Sequence, residues 1–188
     1  RDSNERFAEV EGEKFDILKE KENWETGNLC SPPYVTLLVT KELTRLFQEG
    51  ENLVLSGSPR TIYEVERVTP VLEKFYGKEN IKIILLEIKP ETTIFRNSNR
   101  KICELMRHPI LFNKETENLT ICPLDGSKLE KRAGLDDSES IKIRIKEYAE
   151  RTFPMFEYFQ KNNFEVHKIN GEQTVADVFE EVLKAIKK

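Results

Sequence analysis

Short apolar runs alternate along the chain with longer segments in which apolar residues recur at helical spacing. Residues 53–55 and 81–88 are rich in branched apolar side chains, which is typical of buried strands. Residues 164–169 form another such run, and an Asn-Gly turn signal follows it. The alternation of these runs with helical segments predicts an α/β protein built on a parallel sheet that is covered on both faces.

Helical periodicity predicts further elements at residues 34–47, at 61–75, from Pro90 onward, at 138–161 with a break near Pro154, and at 175–186. In the last helix, Val178, Val182 and Ile186 are expected to face inward. Ser31 stands where its side chain can cap the first helix. Residues 1–26 are polar and charged with sparse apolar members, which predicts one or two short helices in a thin lobe.

The composition fits a soluble globular protein. With 188 residues the chain can bury one core and carry a small additional lobe. Charged residues make up 34% and leave a net charge of −4, which argues against a nucleic-acid arm or a membrane-surface patch. No apolar run approaches membrane-spanning length and no signal peptide is visible, so we expect a cytoplasmic protein. Three cysteines argue against a disulfide framework.

A Gly-containing turn at residues 56–59 separates a predicted strand from a predicted helix, and Arg60 follows it. The beginning of a helix offers free N–H groups and a partial positive charge, and a guanidinium matches phosphate oxygens. This stretch is therefore either an anion site or an ordinary strand–turn–helix with a surface arginine.

Two further arginines, Arg96 and Arg100, lie four residues apart in the helix predicted to begin at Pro90. This spacing places them on one helix face. They form either a solvated basic face or a pair of guanidinium forks directed at phosphates.

Residues 101–137 contain too few apolar side chains for a core, but they hold two cysteines, Cys103 and Cys122, with polar neighbours. Small lobes of this kind are often held by a metal. Zinc binds thiolate, imidazole and carboxylate groups in a tetrahedral set, so His108 and Asp125 could complete four ligands. The alternatives are two free thiols in a small packed lobe, or a disulfide, which is disfavoured in the cytoplasm.

Taken in order, these motifs resemble those of the adenylate kinase and nucleoside monophosphate kinase family. Residues 56–61, S-G-S-P-R-T, are similar to the family's D-G-F-P-R-T motif, whose arginine binds the phosphate of the acceptor nucleotide. Residues 27–30 stand in the place of the G-x-L-V segment that lines the base pocket. Arg96 and Arg100 match the arginines of the D-R-x-x-x-R motif, while Phe95 replaces its acid.

The resemblance extends to both ends of the chain. Residues 132–137 are similar to the R-x-D-D segment at the exit of the lid, and Arg144 matches the arginine of the R-L-x-x-Y motif. The cysteine-bearing segment stands where bacterial zinc-bearing lids have paired C-x-x-C motifs, or C-x-x-C and C-x-x-D. Here Met106 stands in place of the second cysteine, so either His108 substitutes for it or the site has decayed to a packed or hydrogen-bonded lobe. Arg1 would match the arginine of the S-T-G-D-x-L-R segment.

The resemblance implies a phosphotransferase of nucleotide homeostasis that moves the terminal phosphate of ATP to AMP, with Mg²⁺ on the ATP and a structural Zn²⁺. The implied catalytic residues, which neutralise charge at the transferring phosphate, are Arg60, Arg96, Arg100, Arg132 and Arg144. The implied AMP-binding residues are Arg1, Gly27, Leu29, Cys30, Gly57, Arg60, Glu64, Arg132 and Arg144. The implied ATP-binding residues are Arg96, Arg100, Gly171, Gln173 and Val175. The implied zinc ligands are Cys103, His108, Cys122 and Asp125.

The implied fold is a P-loop NTPase-like parallel sheet flanked by helices. An acceptor-nucleotide lobe would cover residues 1–29, the core residues 30–96 and 138–188, and the lid residues 97–137. We expect a monomer whose partners are ATP and AMP, or another nucleoside monophosphate, with no nucleic-acid or membrane partner.

Departures from the family pattern leave other interpretations open. Ser56 stands where the family has an Asp that holds the water shell of magnesium, and Glu64 stands near the place of a Gln that reads adenine. The sequence contains no G-x-x-x-x-G-K-[ST] phosphate loop, so we expect that loop and the first strand to lie upstream of Arg1. The alternatives are a non-catalytic nucleotide-binding relative, a kinase for another nucleoside monophosphate, and a zinc-lobed interaction domain with surface arginines.

Overall fold

The computed structural model describes residues 6–26, 30–131, 136 and 138–187. The chain forms two compact units, one made of Arg1–Ile84 with Tyr148–His167 and the other of Leu85–Glu147 with Lys168–Lys188. Among the described helices, none combines the length and the apolar character that crossing a membrane would require.

The first unit begins with a β-hairpin of strand β1 (Phe7–Val10) and strand β2 (Glu13–Asp16). Glu11 and Gly12 form its two-residue turn, with φ of 52° and 85°. Turns with two positive φ values match the twist of paired strands, and glycine adopts them without strain. The sequence pattern predicts only helices in residues 1–26, and the hairpin shows that this prediction is wrong for residues 7–16. Helix α1 (Ile17–Thr26) follows the hairpin.

The two helices predicted next are confirmed. Helix α2 (Pro32–Gln48) packs against helix α3 (Ile62–Tyr76), and a short 3₁₀ helix (Lys78–Asn80) follows. Ser31 stands at the N-cap position of α2, but its side chain makes no cap hydrogen bond. The prediction of a capping serine is wrong because its hydroxyl donates to the Glu20 carboxylate instead, 2.6 Å away.

The core of this unit is formed by α3 and by residues 155–164, which come about 90 positions later in the chain. A five-residue π-helix (Tyr148–Thr152) precedes helix α6 (Pro154–Lys161), so the predicted break near Pro154 is confirmed. The buried residues that pack together are Val65, Met155, Phe159 and Phe164, surrounded by the half-buried Ile62, Ile81, Ile83, Tyr158 and Val166.

Residues 53–55 do not form the predicted buried strand. They have no regular structure, and the side chain of Val54 is 95% exposed. A strand needs a hydrogen-bonded neighbour, and no strand in the described part of the chain pairs with this segment. Apolar composition alone therefore gave the wrong element here.

Strands β3 (Ile83–Glu87) and β7 (Val166–Asn170) pair in a parallel sheet, which confirms the fold class. The expectation that the sheet is covered on both faces is wrong for this strand. Leu85 is 5% exposed, whereas the next residue, Leu86, points the other way and is 49% exposed.

The second unit contains helix α4 (Pro90–Asn99), helix α5 (Ser138–Glu147), which contacts it, and helix α7 (Val175–Ile186). The position of α7 is confirmed, but Ile186 is 47% exposed and no described residue of this helix is buried. The expected inward face is therefore wrong at Ile186.

A small antiparallel sheet forms the rest of the second unit. Its strands lie in the order β5 (Pro109–Ile110), β4 (Lys101–Cys103) and β6 (Leu129–Glu130). Its buried side chains are Cys103, Ile110, Cys122 and Leu129, against which Leu119 packs. Two of these four side chains are thiols, which is why the apolar pattern alone did not reveal the cluster.

Candidate functional site

Arg60 precedes Thr61, the N-cap residue of α3, at a helix start where Thr61 and Glu64 hydrogen-bond each other. The Thr61 hydroxyl accepts a hydrogen bond from the Glu64 N–H at 3.3 Å and donates to the Glu64 carboxylate at 2.9 Å. The other Glu64 oxygen accepts the N–H of Arg60 at 3.0 Å. The arrangement is a variant of the capping box in which the carboxylate reaches the N–H before the N-cap, and it fixes the chain at the point where Arg60 leaves the turn.

The side chain of Arg60 is exposed, and its Nε donates to the Gly57 carbonyl at 2.5 Å. Gly57 has a φ of 79°, a conformation that glycine adopts without strain. Among the described residues, no group hydrogen-bonds the two terminal nitrogens of Arg60, so they can receive an anion. The sequence interpretation of an anion site at this turn is compatible with that geometry.

Arg96 is engaged with backbone carbonyls. Its Nη1 donates to the Gly171 carbonyl at 2.7 Å, and its Nη2 lies 3.3 Å from the Glu172 carbonyl and 3.4 Å from the Gln173 carbonyl. The structure thus brings together Arg96, Gly171 and Gln173, three of the residues assigned to ATP by resemblance. Val175 begins α7 close by in sequence and is exposed.

Arg100 takes a different partner because α4 ends at Asn99 and Arg100 has extended backbone. Its guanidinium forms a two-point contact with the buried Asp136, and Arg144 of α5 approaches the same carboxylate at 3.4 Å. The prediction that Arg96 and Arg100 share one helix face is therefore wrong. The Asp136 carboxylate therefore faces guanidiniums from two different elements.

Sequence reasoning did not name Asp136 as a site residue. It lies 36 residues from Arg100, and no spacing rule joins residues so far apart. Its place in the R-x-D-D segment was the available sequence signal, but the contact with Arg100 becomes visible only in the fold.

Cys103, His108, Cys122 and Asp125 form a cluster of four possible ligands, whose donor atoms all lie within 4.8 Å of one another. His108 Nδ1 is 3.5 Å from the Cys103 sulfur, 3.7 Å from the Cys122 sulfur and 3.1 Å from Asp125 Oδ2. All three cysteines of the chain are free thiols, so the disulfide alternative is wrong.

Two tight turns build this cluster. In the first, the His108 N–H donates to the Cys103 sulfur at 3.0 Å, and the Cys103 N–H donates to the His108 carbonyl at 3.2 Å. In the second, the Gly126 N–H donates to the Cys122 carbonyl at 2.9 Å. Backbone hydrogen bonds therefore place the ligand atoms without help from a large apolar core.

Ser127 orients the carboxylate of the cluster. Its N–H and its hydroxyl both donate to Asp125 Oδ1, at 2.9 and 2.8 Å, which leaves Oδ2 to accept from the Cys103 thiol at 3.0 Å. The Cys103 hydrogen bond, followed by the Ser127 N–H, holds the pKa of Asp125 well below its usual range. Burial raises the pKa of the Cys122 thiol.

The donor set fits zinc. Two sulfurs, one imidazole nitrogen and one carboxylate oxygen are the ligand types that a tetrahedral zinc site uses. The side chain of Met106 is 64% exposed, whereas His108 belongs to the group of four donors. The structure therefore brings together all four ligands expected from the sequence.

Comparison with known proteins places the chain in a family. The chain is 33% identical over 180 residues to the adenylate kinase of Mycoplasma mobile, a match that covers 90% of this chain and 76% of that protein. The chain belongs to the adenylate kinase family. It is also 29% identical over 185 residues to the adenylate kinase of Oceanobacillus iheyensis, covering 97% and 83% of the two chains. The adenylate kinase of Bacillus subtilis is 28% identical over 167 residues, covering 88% and 75%. No protein-family model matches the chain.

Several residues that the adenylate kinase resemblance assigns to AMP are not described structurally. Arg1, Gly27, Leu29 and Arg132 lie outside the described residues. Cys30, which follows two of them, is half-buried and its thiol donates to the Glu20 carbonyl at 3.4 Å. Burial raises the pKa of that thiol, which keeps it protonated and uncharged.

Proposed function

We propose that this member of the adenylate kinase family transfers the terminal phosphate of ATP, bound with Mg²⁺, to AMP. The observation that carries the proposal is Arg60, whose backbone N–H is held by the Glu64 carboxylate while its guanidinium stays exposed beside a glycine turn. Such an arginine can hold the acceptor phosphate in a defined direction, which is the main requirement of phosphoryl transfer.

The arginines of the second unit support the same reaction. Arg100 and Arg144 contact one buried carboxylate, and Arg96 is anchored to the segment of Gly171 and Gln173. An incoming triphosphate would compete with Asp136 for the two guanidiniums and would receive charge-assisted hydrogen bonds from them. Their part is to neutralise charge as the phosphoryl group moves.

The test measures ADP formation from ATP and AMP, and AMP binding by calorimetry, for the wild type and for Arg60→Ala. Loss of charge-assisted hydrogen bonds should lower AMP affinity by about tenfold to a hundredfold. Arg45→Ala is the matched control, because Arg45 is an exposed arginine held by Glu42 and Glu49 on α2. Equal AMP affinity in wild type and Arg60→Ala would contradict the proposal.

Two further measurements separate the alternatives. AMP binding without ADP formation would favour a non-catalytic nucleotide-binding relative. Measuring activity with AMP, GMP, CMP and UMP would show whether another nucleoside monophosphate is the acceptor. This comparison is needed because Glu64 stands near the place where the family has the Gln that reads adenine.

We also propose that Cys103, His108, Cys122 and Asp125 hold a structural Zn²⁺. The zinc would cross-link the two turns of a lobe with a very small apolar core, and its binding energy would become folding energy. The support is the convergence of four suitable donor atoms within 4.8 Å.

Metal analysis of purified protein tests the zinc site. We expect about one zinc per chain in the wild type and in Met106→Ala, and its loss in His108→Ala. Met106 is a fitting control because it lies between two ligands in sequence but outside the cluster. Zinc retention in His108→Ala would exclude His108 as a ligand. If the wild type binds no zinc even after refolding in the presence of zinc, the proposed site is excluded.

A further inference from the structure

The backbone of Arg60 is held from a second side by a residue that lies 92 positions further along the chain. The hydroxyl of Thr152 donates to the Arg60 carbonyl at 2.9 Å. Both residues belong to the first compact unit. No motif of the sequence links them, and Thr152 carries no role in the function proposed above.

This contact satisfies a group that the helix cannot satisfy. The first backbone hydrogen bond of α3 runs from the Val65 N–H to the Thr61 carbonyl, so the Arg60 carbonyl lies one residue outside the helical pattern. The Arg60 N–H is outside it as well and is taken by Glu64. Side chains from two different helices therefore fix both polar groups of the Arg60 backbone.

Packing keeps Thr152 at the right distance. It is the last residue of the π-helix Tyr148–Thr152, whose widened turn is closed by the Phe153 N–H donating to the Tyr148 carbonyl at 2.8 Å. Helix α6 follows at once and shares a buried core with Val65 of α3. Single-turn π-helical segments often occur at functional sites, where they redirect a side chain.

The consequence concerns the direction of the Arg60 guanidinium. A phosphate-binding arginine gains affinity when its orientation is set before the ligand arrives. Hydrogen bonds to the Arg60 N–H and carbonyl restrict rotation of its backbone. The hydrogen bond from Nε restricts its side chain. If the carbonyl is released, the side chain samples more directions and binds phosphate less well.

We infer that Thr152 is a positioning residue for Arg60, and that its hydroxyl aligns the guanidinium for the phosphate of the acceptor nucleotide. The inference rests on the proposed function and adds a residue to its acceptor site. Thr152 does not touch the nucleotide; it acts through the carbonyl of Arg60.

The test is a double-mutant cycle read by calorimetric AMP affinity and by the Michaelis constants for AMP and ATP. Thr152→Val removes the hydroxyl at nearly constant shape and should weaken AMP binding about fivefold, as expected for one hydrogen bond. The Michaelis constant for ATP should stay unchanged. Thr152→Ser keeps a hydroxyl and should restore AMP affinity to within about twofold of the wild type.

The second half of the cycle makes the same Thr152 substitution in the Arg60→Ala protein. In that background Thr152→Val should have no further effect on AMP affinity, because the side chain that it positions is gone. Thr44→Val is the matched control, since the Thr44 hydroxyl also donates to a backbone carbonyl, that of Thr40, at 2.8 Å. Thermal unfolding of each variant checks the fold, and Thr152→Ala replaces the valine variant if valine prevents folding.

The outcomes distinguish the inference from the proposed function. If Arg60→Ala weakens AMP binding but Thr152→Val does not, the inference is overturned and the proposed function stands. An equal effect of Thr152→Val with and without Arg60 also overturns the inference, because Thr152 would then act independently of Arg60. If Arg60→Ala has no effect, both are overturned.

Discussion

Arg100 and Asp136 form a two-point ion pair, in which Nη2 lies 2.7 Å from Oδ1 and Nε lies 3.1 Å from Oδ2. The Asp136 side chain is almost fully buried, and Arg144 supports it from a second side. A buried carboxylate is stable only while cations accompany it. Asp136 therefore gives the two arginines a counter-charge and restrains their side chains.

Asp136→Asn should destabilise the protein. It removes the buried charge that faces the Arg100 and Arg144 guanidiniums, at a cost of about 3 kcal/mol in the free energy of unfolding. Glu157→Gln is the control, because it removes an exposed partner of Lys161 and should cost less than about 1 kcal/mol. Urea unfolding of the two variants measures both costs. Similar values for the two variants would show that the Asp136 pair is no more than a surface ion pair.

Glu172 caps helix α4 from outside it. Its carboxylate accepts the Lys89 N–H at 2.7 Å and the Thr92 hydroxyl at 2.8 Å, at the N-terminus where the Lys89 side chain offers no cap. The Lys89 N–H, and after it the Thr92 hydroxyl, lower the pKa of Glu172. The folded state therefore binds the proton less readily than the unfolded state does.

That pKa shift predicts a pH-dependent contribution to stability. It is fully present above the ordinary glutamate pKa of about 4.3 and is lost as the pH falls through the lowered folded value. Wild type should therefore be more stable than Glu172→Gln at neutral pH, and the difference should shrink in acid. Thermal unfolding of both proteins from neutral to acidic pH measures it. A difference that does not change with pH would contradict the assignment.

Helix positions could be predicted from the sequence wherever the helix supplies its own pattern. The apolar spacing of α2 and α3 located both to within two residues, and the Pro154 break was visible as a proline. The grouping of Cys103, His108, Cys122 and Asp125 was also predicted, because two cysteines with polar neighbours in an apolar-poor segment suggested a shared site.

Features that depend on distant partners could not be predicted. The charge-rich residues 6–16 concealed the hairpin, although the Glu11-Gly12 pair was a usable turn signal. Glu172 caps a helix 83 residues away in sequence. Such contacts follow no local period, so only the folded chain reveals them.

Glu20 should contribute strongly to stability despite its charge. It is buried, and its two oxygens accept the Ser31 N–H at 2.8 Å and the Ser31 hydroxyl at 2.6 Å, at the beginning of α2. Glu20→Ala leaves both donors unpaired and should cost about 2 kcal/mol in the free energy of unfolding. Glu25→Ala is the control, because Glu25 of the same helix is exposed and forms an ion pair with the exposed Lys21. Equal costs in chemical denaturation would contradict this role.

Gly57 and Gly50 offer a matched pair for testing the turn before Arg60. Both have a positive φ, 79° and 77°, so an alanine at either position carries the same kind of backbone strain. They differ in their surroundings. A Cβ at Gly57 would lie 2.8 Å from a terminal nitrogen of Arg60, whereas a Cβ at Gly50 would meet nothing within 4 Å.

The two alanine variants should therefore have similar stability but different ligand binding. Each should lose about 1 kcal/mol in the free energy of unfolding, because the left-handed conformation is costly for a residue with a Cβ. Only Gly57→Ala should weaken AMP binding, since the flexible Arg60 side chain yields to the new methyl group and its guanidinium leaves its position. Calorimetry with AMP and urea unfolding of both variants separate the two effects. If Gly57→Ala and Gly50→Ala retained the same AMP affinity, the direction of the Arg60 side chain would not matter for the acceptor.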